Sequence, residues 1–252
     1  MRTTRARGRP GATVGLTVLL VVAATSREAE PLRAAIPATS RDLHGLQVLD
    51  GDLDGIAVRL AVTGVARSNT AFVLSRLLLE RPAAVLQVGV GGTFDPDLVP
   101  VGGLACATSD TYADLGVLTD QGWMHADELG LPIVERDGRR WYASFPCDGP
   151  LTAAVADRVH AATGPFATVE TVTGTDHAAR TIAERTSAII ESMEGAAAAH
   201  ACLLAGVPFV ELRSASNVAG PRDRSAWRLD DAIEAAGAAA LAALPVLAEH
   251  TA

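Results

Sequence analysis

Residues 187–217 read SAIIESMEGAAAAHACLLAGVPFVELRSASN, and this stretch decides the predicted fold. It begins with an apolar run up to Met193, continues as an alanine-rich segment, and returns to a second apolar run after Gly206. Short apolar runs bounded by turn residues are typical of buried strands. A longer segment of small residues that ends at a glycine is typical of a buried helix. The stretch therefore predicts a strand, a helix and a second strand.

The same alternation of strands and helices extends over the rest of the chain. Apolar runs between turn residues predict strands at residues 16–25, 46–50, 56–64, 83–90, 103–110, 166–174, 187–193 and 207–217. Longer segments predict helices at residues 27–35, 68–80, 151–163, 177–186, 194–206 and 229–250, and residues 119–149 are predicted to be irregular. This alternation is typical of one doubly wound α/β domain.

The composition favours a soluble protein that binds a small molecule. Hydrophobic residues make up 49% of the 252 residues, which is enough for one large core. A net charge of −8 argues against nucleic acid as a partner, because its phosphate backbone requires a basic surface. The three cysteines and six histidines show no metal-binding spacing, so no metal and no cofactor are expected.

The N-terminus allows two interpretations. Residues 1–9 carry four arginines and the apolar run GLTVLLVVAAT follows, as in a secretory signal peptide. A valine-rich run also suits a buried parallel strand, and this run is too short to span a bilayer. We favour the strand because the residues directly after it look functional. Residues 1–15 are then expected to be a basic, disordered extension, and residues 16–252 the domain.

Polar side chains and glycines come at the ends of four predicted strands. Glu28 follows the first strand, GVGG at residues 89–92 closes another, Glu194 follows a third, and Asn217 ends the last. In doubly wound sheets, ligands bind outside the carboxyl ends of the strands. Each feature also has a structural explanation: a solvated first-turn acid for Glu28, a tight strand exit for GVGG, a charge at a helix N-terminus for Glu194, and a cap or turn for Asn217. Their coincidence at equivalent strand ends favours a ligand site.

Six segments carry a resemblance to known proteins. They are VVAATSREAE (21–30), TGVARSNTA (63–71), VLQVGVGGTF (85–94), TSDTYADLGV (108–117), SMEGAAAAHACLLAGVPFVELRSASNVAG (192–220) and RDRSAW (222–227). Through them the chain resembles the purine nucleoside phosphorylase/nucleosidase superfamily over nearly its whole length after residue 16. The resemblance is greatest to its branch of methylthioadenosine/S-adenosylhomocysteine nucleosidases and futalosine hydrolases. It implies a single three-layer α/β/α domain with a central mixed sheet.

The resemblance implies hydrolysis of an N-glycosidic bond. Glu28 would be the general base that activates water, with Glu30 as the alternative if the register differs. Glu194 would accept hydrogen bonds from the ribose hydroxyls, and Met193 would pack against the sugar. Asn217 stands where the adenine-directed relatives carry an aspartate. A carboxamide can donate to a 6-oxo group, which favours hypoxanthine as the base and therefore futalosine as the substrate.

Other residues are candidates for the rest of the substrate. Gly91 and Gly92 would let the backbone approach the base or ribose, and His177 lies in the segment that covers the purine in the family. Arg213 is expected to be structural. The benzoate of futalosine needs a cationic or hydrogen-bonding partner, for which the sequence offers Arg139, Arg140, Trp123 and His125 without choosing among them.

Three alternative functions stay open at the level of sequence. Phosphorolysis of 6-oxopurine nucleosides would require a phosphate site, of which Arg67 is one possible member. Hydrolysis of 6-amino-6-deoxyfutalosine or methylthioadenosine would require Asn217 to bind a 6-aminopurine instead of a 6-oxopurine. A secreted nucleoside-binding protein would follow from cleavage near Thr25. The resemblance further implies a cytoplasmic enzyme, a homodimer or higher homo-oligomer, that binds a small nucleoside and has no membrane or nucleic-acid partner.

Overall fold

The computed structural model describes residues 18–251, and it has the expected mixed sheet flanked by helices on both faces. The extension expected over residues 1–15 lies outside the described residues. The strands are β1 (Leu19–Ala23), β2 (Ala38–Leu43), β3 (Leu46–Leu53), β4 (Ile56–Val62), β5 (Ala84–Thr93), β6 (Leu104–Tyr112), β7 (Gly116–Thr119), β8 (Gly122–His125), β9 (Val134–Arg136), β10 (Arg139–Trp141), β11 (Ser144–Pro146), β12 (Ala162–Thr168), β13 (Ile190–Ser192) and β14 (Phe209–Val218). The helices are α1 (Ser26–Ala35), α2 (Arg67–Leu77), α3 (Gly149–Val159), α4 (Asp176–Thr186), α5 (Gly195–Ala205) and α6 (Leu229–Thr251).

One large sheet has the strand order β11-β6-β12-β13-β5-β1-β4-β3-β2, and β14 pairs with both β5 and β6. The strands β4, β1, β5 and β14 are parallel neighbours, whereas β2, β3 and β4 form an antiparallel meander. Because β14 bridges β5 and β6, the strands β5, β13, β12, β6 and β14 close into a ring. The ring places side chains of β6 beside those of β14.

Two large hydrophobic cores cover the two faces of the sheet, and a smaller third cluster surrounds Val169. Helices α2 and α5 supply one core, in which Leu74 and Cys202 pack with Val22 of β1. Helices α1, α3 and α6 supply the other, which contains Leu32 and Leu244. Helix α6 is long and apolar enough to cross a membrane, but half of its most apolar window is buried in the domain, as core helices are. The sequence therefore folds as helix, sheet and helix layers.

Strand β1 confirms the strand interpretation for residues 19–23. It lies between β4 and β5, and all five of its side chains are buried. Cleavage near Thr25 would remove this strand from the interior of the sheet. Helix α1 begins three residues after β1, so the strand also positions Glu28.

Three regions differ from their sequence-based predictions. The strand predicted at residues 166–174 lies at Ala162–Thr168, where an irregularity at Gly164 and Pro165 interrupts the apolar pattern. Residues 119–149, predicted to be irregular, contain the hairpins β7–β8 and β9–β10 and the strand β11. Strand β2 was not predicted, because five of its six side chains are exposed and no apolar alternation marks it.

Candidate active site

A cavity of about 470 Å³ opens beside the carboxyl ends of β1, β5 and β14 and the junction of β13 with α5. Its size is that of a pocket for a small organic molecule. The structure brings all six predicted site residues to its wall: Glu28, Gly91, Gly92, Met193, Glu194 and Asn217. The convergence expected from the strand ends is therefore present.

Glu28 lies in the first turn of α1, and its carboxylate accepts hydrogen bonds from three donors. Its Oε2 accepts hydrogen bonds from the N–H of Thr25 at 3.0 Å and from the hydroxyl of Thr25 at 2.7 Å. Its Oε1 accepts from the N–H of Val90 at 3.1 Å. Thr25 and Glu28 thus form a capping box, and Glu28 is only 8% exposed. The carboxylate is not a solvated acid but a buried group oriented at the cavity wall.

Two observations explain why Glu28, and not Glu30, lies at the cavity wall. Glu30 is exposed, lies 3.9 Å from Arg33, and does not line the cavity. Gly89 makes room for the carboxylate, because a Cβ there would lie 2.6 Å from Oε1 of Glu28. The register therefore brings Glu28 to the cavity and leaves Glu30 on the surface.

Glu194 is the N-cap residue of α5, but its side chain makes no capping hydrogen bond. Its Oε1 accepts from the N–H of Ala66 at 3.0 Å, and its Oε2 accepts from Nη2 of Arg213 at 3.3 Å. Glu194 therefore lies at a helix N-terminus, as the structural explanation requires, and its carboxylate also faces the cavity. Arg213 is buried, as expected of a structural residue, yet it also lines the cavity and pairs with Glu211 at 2.9 Å.

Burial and charge pairing shift the pKa values of Glu194 and Arg213 in opposite directions. Burial raises the pKa of Glu194 above its usual value, although Arg213 and the N–H of Ala66 counteract the effect. Burial alone would lower the pKa of Arg213, but the carboxylates of Glu211, Glu194 and Glu28 raise it. Arg213 is therefore a permanent cation, and the charge of Glu194 depends on it.

Asn217 lies beside a bulge in β14. The pairing of β14 with β5 shifts register between Ala215 and Asn217, and such bulges redirect side chains. The hydroxyl of Ser216 donates to Oδ1 of Asn217 at 2.8 Å, and Nδ2 of Asn217 donates to the carbonyl of Val218 at 2.9 Å. An amide nitrogen has two hydrogens, so one of them is left for a ligand in the cavity.

The two glycines of β5 have different reasons to be glycine. A Cβ at Gly91 would lie 2.6 Å from the carbonyl oxygen of Glu191, so this glycine is required by the packing of β5 against β13. A Cβ at Gly92 would lie 3.4 Å from Nδ2 of Asn217 and 3.2 Å from Cβ of Ala219. Gly92 therefore leaves space around the amide of Asn217.

Among the other residues that line the cavity, and apart from Arg213, four have charged or aromatic side chains that the sequence did not indicate as site residues. Glu191 is buried, its carboxylate accepts from the N–H and hydroxyl of Thr173, and burial raises its pKa. Its spacing of two from Met193 could have found it, because alternate strand residues share a face. The others are Arg27, Arg222 and Trp227, of which the guanidinium of Arg222 lies 5.1 Å from the Trp227 ring centroid.

Several candidates do not reach the cavity. His177 is exposed in the first turn of α4, and Arg67 pairs with Asp114 at 2.7 Å and Glu170 at 2.8 Å. The residues considered for the benzoate lie on the β7–β10 hairpins and do not line the cavity: Trp123, His125, Arg139 and Arg140. Local pattern could not place these residues relative to the cavity, because it does not encode the position of a hairpin relative to the sheet.

Known proteins match the sequence of this chain over most of its length. Residues 18–249 match the family model of the phosphorylase superfamily. The futalosine hydrolase of Streptomyces coelicolor is 37% identical over 235 residues, which cover 91% of this chain and 96% of the relative. The futalosine hydrolase of Thermus thermophilus is 33% identical, over 69% of this chain and 75% of the relative.

Solved structures show the same fold at lower identity. A methylthioadenosine/S-adenosylhomocysteine nucleosidase of Colwellia psychrerythraea in complex with adenine has a TM-score of 0.78 at 23% identity, over 92% of this chain and 96% of that one. The native futalosine hydrolase of Helicobacter pylori has a TM-score of 0.77 at 18% identity, over 91% and 98%. The chain belongs to the phosphorylase superfamily, in one family with the futalosine hydrolases of Streptomyces coelicolor and Thermus thermophilus.

Proposed function

We propose that the protein hydrolyses the N-glycosidic bond of futalosine to hypoxanthine and dehypoxanthine futalosine, in menaquinone biosynthesis. The similarity to curated futalosine hydrolases supports this substrate. The observation that carries the chemistry is the convergence of Glu28, Glu194 and Asn217 on one cavity. These side chains match the three parts of a glycosidic cleavage: attacking water, ribose and leaving base.

Glu28 acts as the general base. Water attacks C1′ of the ribose and gives its proton to the carboxylate, while the C1′–N bond breaks and its electrons move to the purine. The three hydrogen bonds from Thr25 and Val90 fix the carboxylate before substrate arrives. A base fixed in this way loses little orientational freedom in the transition state.

Glu194 and Asn217 hold the two sides of the bond that breaks. Oxygen atoms of Glu194 accept hydrogen bonds from the ribose hydroxyls, and Met193 packs against the sugar. The free N–H of Asn217 donates to the 6-oxo group of hypoxanthine, which stabilises the charge that the leaving base gains. A 6-amino group offers a donor in its place and would leave the amide unpaired.

Hydrolysis fits the cavity better than phosphorolysis. Phosphate would have to bind close to C1′, where Glu28 and Glu194 place two carboxylates. The guanidinium of Arg213 is already engaged by Glu194 and Glu211, and that of Arg67 by Asp114 and Glu170. The charges of this region therefore disfavour an anionic nucleophile.

The benzoate of futalosine requires a cationic partner at the cavity mouth. Arg222 is exposed beside the indole of Trp227, so it presents a cation and an aromatic face together. Arg27 also lines the cavity, but it pairs with Asp230. We therefore assign the carboxylate of the benzoate to Arg222, with Arg27 as the second cation near the opening.

Hypoxanthine release tests this function. Purified protein in phosphate-free buffer receives futalosine and inosine in parallel, and the free base is measured. Release from futalosine without phosphate is expected. Release that needs phosphate, and occurs equally from inosine, would instead identify a phosphorylase and remove the role of Glu28.

Two further expectations belong to the proposal. We expect a homodimer or higher homo-oligomer; exposed apolar side chains such as Leu118 and Leu131 are available to contact a second copy. We also expect a cytoplasmic protein that retains β1, since Glu28 depends on that strand. Light scattering of the purified protein and the intact mass of protein from the native host measure these two properties.

A further inference from the structure

Two carboxyl groups meet behind the cavity at the start of α5. Asp110 of β6 and Glu211 of β14 are both fully buried, and Oδ2 of Asp110 and Oε2 of Glu211 both face the position that a Cβ of Gly195 would occupy. A Cβ at Gly195 would overlap both carboxyl groups. The glycine at the first position of α5 therefore provides the space in which the two acids meet.

Each acid has one oxygen with a donor and one without. Oδ1 of Asp110 accepts from the hydroxyl of Thr168 at 2.9 Å, and Oε1 of Glu211 accepts from Nε of Arg213 at 2.9 Å. Within residues 18–251, Oδ2 of Asp110 and Oε2 of Glu211 have no donor. Buried carboxylates in contact cannot both ionise, and one shared proton satisfies both orphaned oxygens.

The surroundings decide which acid carries the proton. Glu211 contacts the guanidinium of Arg213, which stabilises a negative charge, whereas Asp110 has only the hydroxyl of Thr168. Burial and the neighbouring Glu211 raise the pKa of Asp110 well above its usual value. Glu194 faces the pair from beyond Arg213. The other titratable groups nearby are neutral at pH 7, and burial raises their pKa further: Tyr112, Cys106 and Cys147.

We propose that Asp110 is a protonated acid that donates from Oδ2 to Oε2 of Glu211, and that ionised Glu211 positions Arg213 against Glu194. Arg213 then holds three acceptors at once: Glu211 at 2.9 Å, the carbonyl of Val90 at 3.2 Å and Glu194 at 3.3 Å. Neither Asp110 nor Glu211 lines the cavity, so both are positioning residues. Their effect on catalysis rests on the proposed function, whereas the position of the proton does not.

Two isosteric variants distinguish the two acids. In Asp110→Asn, the amide N–H replaces the acid O–H, and Oδ1 still accepts from Thr168. In Glu211→Gln, Arg213 loses a charge partner and turns to Glu194 alone. Because breaking a buried ion pair is costly, we expect kcat/KM to fall at least about tenfold in Glu211→Gln, mainly through KM, and less than about threefold in Asp110→Asn.

The pH profile adds a readout that a merely structural role would not change. Arg213 bound to Glu194 alone lowers the pKa of that carboxylate, so the acid limb of kcat/KM should move to lower pH in Glu211→Gln. The limb should stay in place in Asp110→Asn, because a neutral side chain replaces a neutral one. Thermal unfolding of each variant verifies that it folds.

Infrared spectroscopy locates the proton without any substrate. The carbonyl band of a buried protonated acid should be present in the wild-type protein, shift in heavy water, and be absent from Asp110→Asn. Absence of the band from the wild type would overturn the proposal, as would a loss in Asp110→Asn as large as in Glu211→Gln. A protein that lacks futalosine hydrolysis but shows the band would contradict only the proposed function.

Discussion

Oε1 of Glu28 accepts a hydrogen bond from the backbone N–H of Val90 at 3.1 Å, and this bond joins the first turn of α1 to the end of β5. The two residues are separated by β2, β3, β4 and α2, so the parallel pairing of β1 with β5 is what brings them together. The bond fixes the proposed general base relative to the glycines that line the cavity. Several consequences of this arrangement can be measured.

The first concerns the base itself. Glu28→Gln should lower kcat by roughly 10²–10⁴-fold, the usual contribution of a general base, while substrate binding stays measurable. Glutamine also serves at this position of a capping box, so α1 should keep its start. The matched control is Glu30→Gln, which makes the same change at an exposed carboxylate two residues away. Wild-type turnover in Glu28→Gln would move the base elsewhere.

A second prediction concerns Gly89. In Gly89→Ala the new Cβ would lie 2.6 Å from Oε1 of Glu28 and 2.8 Å from Nη1 of Arg213. Overpacking of this kind costs about 1–3 kcal/mol of unfolding free energy, and it should also lower kcat by displacing Glu28. Gly149→Ala is the control, because a Cβ there meets nothing within 4 Å. Denaturant unfolding and steady-state kinetics measure both effects, and equal behaviour of the two variants would contradict the packing.

Base selection should depend on Asn217. Asn217→Asp can accept a hydrogen bond from an exocyclic amine, so the ratio of kcat/KM for 6-amino-6-deoxyfutalosine to that for futalosine should rise by about tenfold or more, the effect of pairing one buried polar group. Asn69→Asp adds the same charge outside the cavity wall and should leave the ratio unchanged. An unchanged ratio in Asn217→Asp would remove Asn217 from base recognition.

The benzoate assignment predicts a substrate-dependent loss. Arg222→Ala should raise KM for futalosine by about tenfold, the effect of losing a charge-assisted hydrogen bond, and should leave KM for a nucleoside without the benzoate nearly unchanged. Arg224→Ala is the control, because Arg224 is exposed on the same loop but does not line the cavity. A similar loss on both substrates would mean that Arg222 supports the cavity rather than the benzoate.

Glu194 should make stability depend on pH in a defined direction. Its pKa is raised by burial, so the folded protein binds this proton more tightly than the unfolded chain does. Its contribution to the free energy of unfolding is therefore largest below the usual pKa of a glutamate and falls as the pH rises through the raised value. Urea unfolding across this pH range should show a smaller fall in Glu194→Gln than in the wild type, because Glu191, whose pKa is also raised by burial, still contributes in the variant. Parallel curves for the two proteins would show that the pKa of Glu194 is not raised.

Local pattern was sufficient for most elements of the fold. Buried strands such as β1 are continuous apolar runs, and Gly206 ends α5 in the left-handed conformation that glycine favours. The strand ends marked Glu28 and Asn217 as site candidates, because the parallel strands β1, β5 and β14 deliver their carboxyl ends to one edge of the sheet. Glu194 was marked in the same way, but it follows β13, which runs antiparallel to β5. Strand β2 was not predicted, because an exposed edge strand needs no apolar alternation.

By itself the sequence determined the layers of the domain, which follow from periodicity along single elements, and it marked Glu28, Glu194 and Asn217 at the strand ends that line the cavity. Only the tertiary structure decided how β14 closes the ring between β5 and β6. That closure brings Asp110 to Glu211, and it buries Arg213 between Glu211 and Glu194. Contacts between residues so far apart in the chain leave no local pattern, because they arise from strand register and from the space that Gly195 leaves open.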